Sequence, residues 1–148
     1  MSYVNLFYHI VFSTKDRRPW LTGQTLERTC QYMGGIARQH KSQILLGGGM
    51  PDHIHLAAIV SPTLAIAEFL KKVKACSSGW IHETFAELAG FSWQDGYAAF
   101  SVSPSVLPAV KAYVRDQAEH HKKMTFQEEL VALLKKHGVE YDERYIWA

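Results

Sequence analysis

The apolar and polar positions divide the chain into alternating strand-like and helix-like stretches. Tyr3 to Thr14 is apolar, aromatic and β-branched, which predicts a strand, and the charged run Lys15 to Pro19 predicts a turn. Leu26, Met33 and Ile36 lie near helical spacing and predict a helix from Thr22 to His40, although Gly34 and Gly35 weaken it. Gln43 to Leu46 predicts a second strand, followed by Gly47-Gly48-Gly49 and Pro51 as a flexible turn. Ile54 to Val60 predicts a third strand, closed by Ser61 and Pro62. The clearest pattern runs from Leu64 to Leu88, where Ile66, Phe69, Leu70, Val73, Trp80, Ile81 and Phe85 form one helical stripe ended by Gly90. Tyr97 to Ser103 predicts a fourth strand. Ser103 or Ser105 then caps a helix running to about Lys123, with Pro104 or Pro108 in its first turn. A last helix spans Thr125 to His137, stopped by Gly138, and the aromatic tail Tyr141 to Trp147 is expected to dock.

This order gives an α+β fold. It is the βαββαβ arrangement of a ferredoxin-like antiparallel sheet, with helices on one face and additional C-terminal helices. The 148 residues suit a single domain, 1–148, with no internal repeat or linker. A chain of this length buries a core without disulfides or a structural metal, so a bound metal would serve chemistry.

The net charge of +2 is too small to argue nucleic-acid binding by itself. The basic residues are nevertheless clustered: Lys15, Arg17 and Arg18; Lys71, Lys72 and Lys74; Lys122 and Lys123. Cys30 and Cys76 lack C-x-x-C spacing, which argues against a zinc knuckle or redox pair. No signal-peptide pattern or membrane-length apolar run appears, so a cytoplasmic location is the default expectation.

Two short motifs carry candidate chemistry. In His53-Ile54-His55, residues i and i+2 of a strand share a face, so two imidazoles could hold one divalent ion while Ile54 enters the core. The competing reading is two polar residues at a strand entrance. In Tyr113-x-x-x-Gln117, residues i and i+4 share a helix face. A phenol can attack phosphorus and an amide oxygen can complete a metal shell. Alone, this pattern reads more readily as an amphipathic tyrosine beside a solvated glutamine. His120 and His121, followed by Lys122 and Lys123, could sit near DNA phosphates, but read more readily as a solvated helix end favoured by the helix dipole. The glycine run lacks G-x-x-x-x-G-K-[ST], and no nucleotide-triphosphate site is visible.

Taken together, the motifs resemble the HUH-type single-tyrosine transposases of the smallest bacterial insertion sequences, the insertion-sequence-200 type. The resemblance rests on His53-Ile54-His55 and on Tyr113-Val114-Arg115-Asp116-Gln117. It extends to Tyr8 through Lys15, Trp93-Gln94-Asp95-Gly96-Tyr97, Phe100-Ser101-Val102-Ser103, Glu119-His120-His121, Thr125 through Glu129, and Leu133 through Gly138.

The resemblance implies metal-assisted transesterification on single-stranded DNA. Tyr113 would be the nucleophile, giving a 5′-phosphotyrosine and a free 3′-hydroxyl. His53, His55 and Gln117 would hold Mg²⁺ or Mn²⁺. Lys15, Arg17, Arg18, Lys71, Lys72 and Lys74 are the candidate phosphate contacts. The implied partners are hairpin-bearing single-stranded DNA and a second copy of the chain. In that homodimer the tyrosine helix docks either on the partner's H-x-H strand, giving shared sites, or on its own sheet. Two other readings stand beside the transposase: a domesticated relative processing repeated chromosomal hairpins, and a metal-free DNA-binding module on the same sheet.

Overall fold

In the computed structural model, which describes residues 1–147, strand β1 (Phe7–Ser13) sends its side chains alternately to two faces. Ile10 and Phe12 meet Ile54 and Leu56 of β3 (His53–Ile59) on one face. Helices α1 (Gln24–Gln39) and α2 (Ile66–Thr84) cover that face with Met33, Ile36, Phe69, Leu70 and Val73. With β2 (Gln43–Met50) and β4 (Ala98–Val102), the sheet order is β2-β3-β1-β4, and every neighbouring pair is antiparallel. This is the predicted ferredoxin-like arrangement.

The opposite face carries α3 (Leu107–Arg115), α4 (Gln117–His120) and α5 (Phe126–Lys136). A second, smaller apolar cluster forms there, where Val11 and Phe100 meet Phe126, Leu130, Leu133 and Leu134. Tyr141, Ile146 and Trp147 of the tail pack against it. Thr125 starts α5 with a reciprocal capping box to Glu128, which fixes where this helix begins.

Several boundaries differ from the sequence expectations. The first strand starts at Phe7 rather than Tyr3, because both neighbouring strands run out opposite Phe7, at Ile59 and Val102. The long second helix ends at Thr84, and Ala86–Leu88 form a separate short 3₁₀ turn. The helix expected to start at a serine cap has Val106 at its N-cap, with no side-chain cap bond, although Pro108 does sit in its first turn.

Two differences bear on the site. Gly47, Gly48 and Gly49 are not a turn; they are the end of β2, and the hairpin turn is Pro51-Asp52. The missing side chains let neighbours approach. A Cβ on Gly47 would meet Cys30 of α1 at 3.0 Å, and one on Gly48 would meet the Val114 carbonyl of α3 at 2.2 Å. The helix expected to continue to Lys123 breaks at Asp116, where φ is −96° and ψ is 30°. The Gln117 side-chain amide donates to the Tyr113 carbonyl at 3.2 Å, satisfying an acceptor at the break.

Candidate metal and tyrosine site

The Pro51-Asp52 turn is anchored before the histidines begin. Leu21 N–H donates to the Pro51 carbonyl and Thr14 N–H to the Asp52 carbonyl, each at 2.9 Å. His53 and His55 then project from β3 to the face opposite Ile54, and both are fully buried. The expected third donor reaches them, with Gln117 Oε1 lying 3.1 Å from His53 Nε2. Two strand positions and a residue beyond the helix break are thereby brought together.

A buried carboxylate lies at the centre of the group. Glu129 Oε1 stands 2.9 Å from His55 Nε2, 3.4 Å from His53 Nε2 and 3.2 Å from His121 Nε2. The Tyr113 hydroxyl donates to Glu129 Oε2. Tyr113, His53 and His55 therefore meet at one carboxylate within one chain, and Gln117 joins the group through His53. His53, His55 and Glu129 have the mutual spacing of a metal-binding triad.

The outer hydrogen bonds orient the rings. His53 Nδ1–H donates to Asp52 Oδ1 at 2.7 Å, and His121 Nδ1–H donates to the Met124 carbonyl at 2.9 Å. His55 Nδ1 lies 2.8 Å from His9 Nε2. Such partners fix imidazole tautomers and are the usual surroundings of metal-ligating histidines. The donor set of imidazole nitrogens, an amide oxygen and a carboxylate oxygen fits a divalent ion.

The electrostatics are strongly coupled. Burial opposes a charge on His53, yet hydrogen bonding to Asp52 and Glu129 outweighs it and raises its pKa to about 9. Burial holds His55 below the ordinary imidazole value, and burial with the neighbouring His55 takes His9 to about 3. Burial would raise Glu129, but hydrogen bonds from His53 and His55 hold it far below the usual carboxylate range. Burial, followed by the hydrogen bond to Glu129, pushes the Tyr113 hydroxyl above its ordinary value.

Sequence reasoning missed Glu129, His121, Asp52 and His9. A signal for Glu129 was available: it interrupts the stripe Phe126, Leu130, Leu133, Leu134 on the buried side of α5, where a charge is costly unless partnered. His121, expected at a solvated end, instead turns inward from the residue after α4. His120 stacks on Tyr113 with centroids 4.3 Å apart.

The basic candidates separate into two places. Arg17 lines a cavity beside Asp52, His121 and Lys123, and lies 5.4 Å from the Trp147 ring. Lys15 and Arg18 are exposed beside it in sequence. Lys71, Lys72 and Lys74 belong to α2, on the sheet face away from His53 and His55. Lys74 donates to the carbonyls of Gln94, Asp95 and Gly96 at 3.0, 3.3 and 2.5 Å. It therefore serves as a clasp on the loop leading to β4.

The sheet and the sequence match together define a DNA-processing protein of the transposase class. More narrowly, the chain belongs to the IS200-like transposase family, matching its description "Transposase IS200 like" over residues 2–117. It is 26% identical to the ISDra2 transposase TnpA of Deinococcus radiodurans over 117 residues, covering 76% of this chain and 84% of that protein. It is 27% identical to the transposase for insertion sequence element IS200 of Salmonella typhimurium over 124 residues, covering 80% of each. A solved candidate transposase of Deinococcus radiodurans superposes with a TM-score of 0.64 at 25% identity, covering 77% of this chain and 92% of that one. A REP-associated tyrosine transposase solved with a REP hairpin shares the fold, with a TM-score of 0.56 at 13% identity over 77% of this chain and 70% of that one. Among the described residues, no helix is long and apolar enough to cross a membrane.

Proposed function

We propose that the chain cleaves and rejoins single-stranded DNA through a 5′-phosphotyrosine at Tyr113, acting as one domain over 1–148. The observation that carries this reading is the meeting of the Tyr113 hydroxyl, His53 and His55 at Glu129, with Gln117 Oε1 held against His53. Tyr113 Oη forms a bond to phosphorus as the bond from phosphorus to the 3′ oxygen breaks. The phenol proton leaves along its hydrogen bond to Glu129 Oε2 and ends on the departing 3′ oxygen, since Glu129 is held far below the usual carboxylate range and does not keep it. The linkage keeps its phosphoester energy, so the reverse attack by a 3′-hydroxyl rejoins the strand without a nucleotide triphosphate.

His53, His55 and Gln117 would hold Mg²⁺ or Mn²⁺. When bound, such an ion supplies Lewis-acid polarisation of the scissile phosphate. His120 keeps the Tyr113 ring in place by stacking. Tyr113 and Glu129 both line an open cavity of about 450 Å³, which gives a DNA phosphate access to the hydroxyl. Lys15, Arg17 and Arg18 are proposed as phosphate contacts near the site, with Lys71 and Lys72 on the far face meeting a longer substrate. Hairpin-bearing single strands are the first substrates to test, since a fold neighbour was solved on a REP hairpin.

Among the described residues no further strand pairs with the sheet edges at β2 and β4, and pairing one with a second copy would cover it. The homodimer belongs to the proposed reading. In this reading each subunit uses its own tyrosine, which the seating of α3 on β2 and β3 of the same chain supports.

The test is Tyr113→Phe, which removes the attacking oxygen and little volume. Hairpin-bearing DNA incubated with the wild type in Mn²⁺ should become covalently attached at Tyr113, as mapped by mass spectrometry. The variant should bind the same DNA and form no adduct. An adduct on another tyrosine would overturn the assignment.

A further inference from the structure

We propose that His121 and Glu129 complete the metal-binding set. The centre then has three imidazoles and selects a divalent first-row transition ion over Mg²⁺. This rests on the reading above that His53, His55 and Gln117 hold a metal, and adds donors from beyond residue 117, where the family match ends.

His121 Nε2 lies 3.1 Å from Gln117 Oε1 and 3.2 Å from Glu129 Oε1. The same two oxygens lie 3.1 and 3.4 Å from His53 Nε2, and His55 Nε2 is 2.9 Å from Glu129 Oε1. Around an ion with bonds of about 2.1 Å, ligand atoms subtending 90 to 109° sit about 3.0 to 3.4 Å apart. These distances match the edges that one coordination polyhedron would have.

A carbonyl only accepts, so His121 Nδ1 carries the proton in its bond to Met124. In the neutral ring, Nε2 then turns a lone pair inward. Asp52 imposes the same tautomer on His53. The amide nitrogen of Gln117 is committed to the Tyr113 carbonyl, so its oxygen must face inward. Glu129 contributes a carboxylate oxygen. Acceptors therefore meet acceptors in a dry space: His53, His55, Gln117 and Glu129 are all buried, and the His121 side chain is 7% exposed. Such an arrangement is costly unless a cation or an added proton stands among them.

Mg²⁺ favours oxygen and retains water, whereas imidazole favours ions further along the first transition row. A third imidazole moves selectivity in that direction.

The test is calorimetric titration of the full-length chain with MnCl₂, CoCl₂ and MgCl₂, together with the visible spectrum of bound Co²⁺. Wild type should bind Mn²⁺ and Co²⁺ at least tenfold more tightly than Mg²⁺. His121→Ala and His121→Gln should each lose at least tenfold in Mn²⁺ affinity, change the Co²⁺ spectrum and narrow the preference over Mg²⁺. His40→Ala, remote from the cluster, controls for adventitious histidine binding. Circular dichroism melts select whichever His121 variant is folded. If a folded His121 variant binds Mn²⁺ like wild type while His53→Ala does not, the added ligand is refuted and the three-residue site stands. If the wild type takes up no divalent ion, or His53→Ala binds normally, the metal reading itself fails and this proposal with it. If an added proton alone reconciles the acceptors, His121→Ala leaves ion affinity and the Co²⁺ spectrum unchanged, which also overturns the proposal.

Discussion

Replacing Gly48 by alanine should dislodge the tyrosine helix without touching any reacting group. The added Cβ would stand 2.2 Å from the Val114 carbonyl oxygen, and that neighbour is backbone, not the end of a pliant side chain. Reaching an ordinary contact of 3.4 Å requires α3 to retreat by about 1.2 Å, since packed interiors have little slack. Overpacking of this kind costs about 1 to 3 kcal/mol. Tyr113 precedes Val114 directly, so its hydroxyl would move away from Glu129. A displacement of about 1 Å at a reacting group can cost on the order of 100-fold in rate. Urea unfolding measures the first effect, and single-turnover formation of the covalent DNA adduct measures the second. Gly79→Ala is the control: it lies inside α2 with open space around its Cβ position, and should stabilise by about 0.5 to 1 kcal/mol. A folded Gly48→Ala protein with wild-type stability and adduct rate would refute the role assigned to this close approach.

Further outcomes are expected. Lys74→Met should destabilise by about 1 to 3 kcal/mol, because it strips three carbonyls of their donor, while leaving the salt dependence of DNA binding unchanged. Lys71→Glu should reduce the log–log salt slope by about 0.7 for each single-strand phosphate that the lysine had neutralised, and equal slopes would remove Lys71 from the interface. In chelator, stability should fall as pH rises from about 6.5 to about 9. His53 has its pKa raised to about 9 by folding, so its contribution is fully present below the unfolded value and is lost as pH passes through the folded one. Denaturant midpoints across that range should lose this fall in His53→Ala. Mixing Tyr113→Phe with His53→Ala subunits should restore no cleavage, since α3 is seated on its own sheet. Recovered activity after verified subunit exchange would establish shared sites.

Periodicity makes the sheet order and the large helices legible. β1 and β3 are covered on both faces and so read as short apolar, β-branched runs, while α2 carries a full apolar stripe. The glycine run reads as a turn because absent side chains look like turn chemistry locally; their reason is long-range, the seating of α1 and α3 on β2. The break at Asp116 is hidden because helical spacing continues across it. His53, His55 and Gln117 can be named from motifs, and the structure brings the three together. Glu129 is visible only as a flaw in an amphipathic pattern, since its partners lie 74 and 16 residues away in sequence, at His55 and Tyr113.

That distance matters for what the H-x-H strand can do alone. Two imidazoles on adjacent same-face positions of a strand are held at β spacing, but their tautomers are set from outside β3, by Asp52 in the turn and His9 on β1. Gln117 reaches the pair only because the helix ends at Asp116 and the chain turns inward. Glu129 then arrives on a helix whose start is fixed by the Thr125–Glu128 capping box and whose apolar side rests on Val11 and Phe100. The packing of α5 therefore has a direct chemical consequence. The leucines and Phe126 that anchor this helix also set the distance between a carboxylate and the Tyr113 hydroxyl. A change at Leu130 or Leu133 that loosened α5 would act on the tyrosine without contacting DNA or metal, which is how core packing in a domain of this size becomes part of its site.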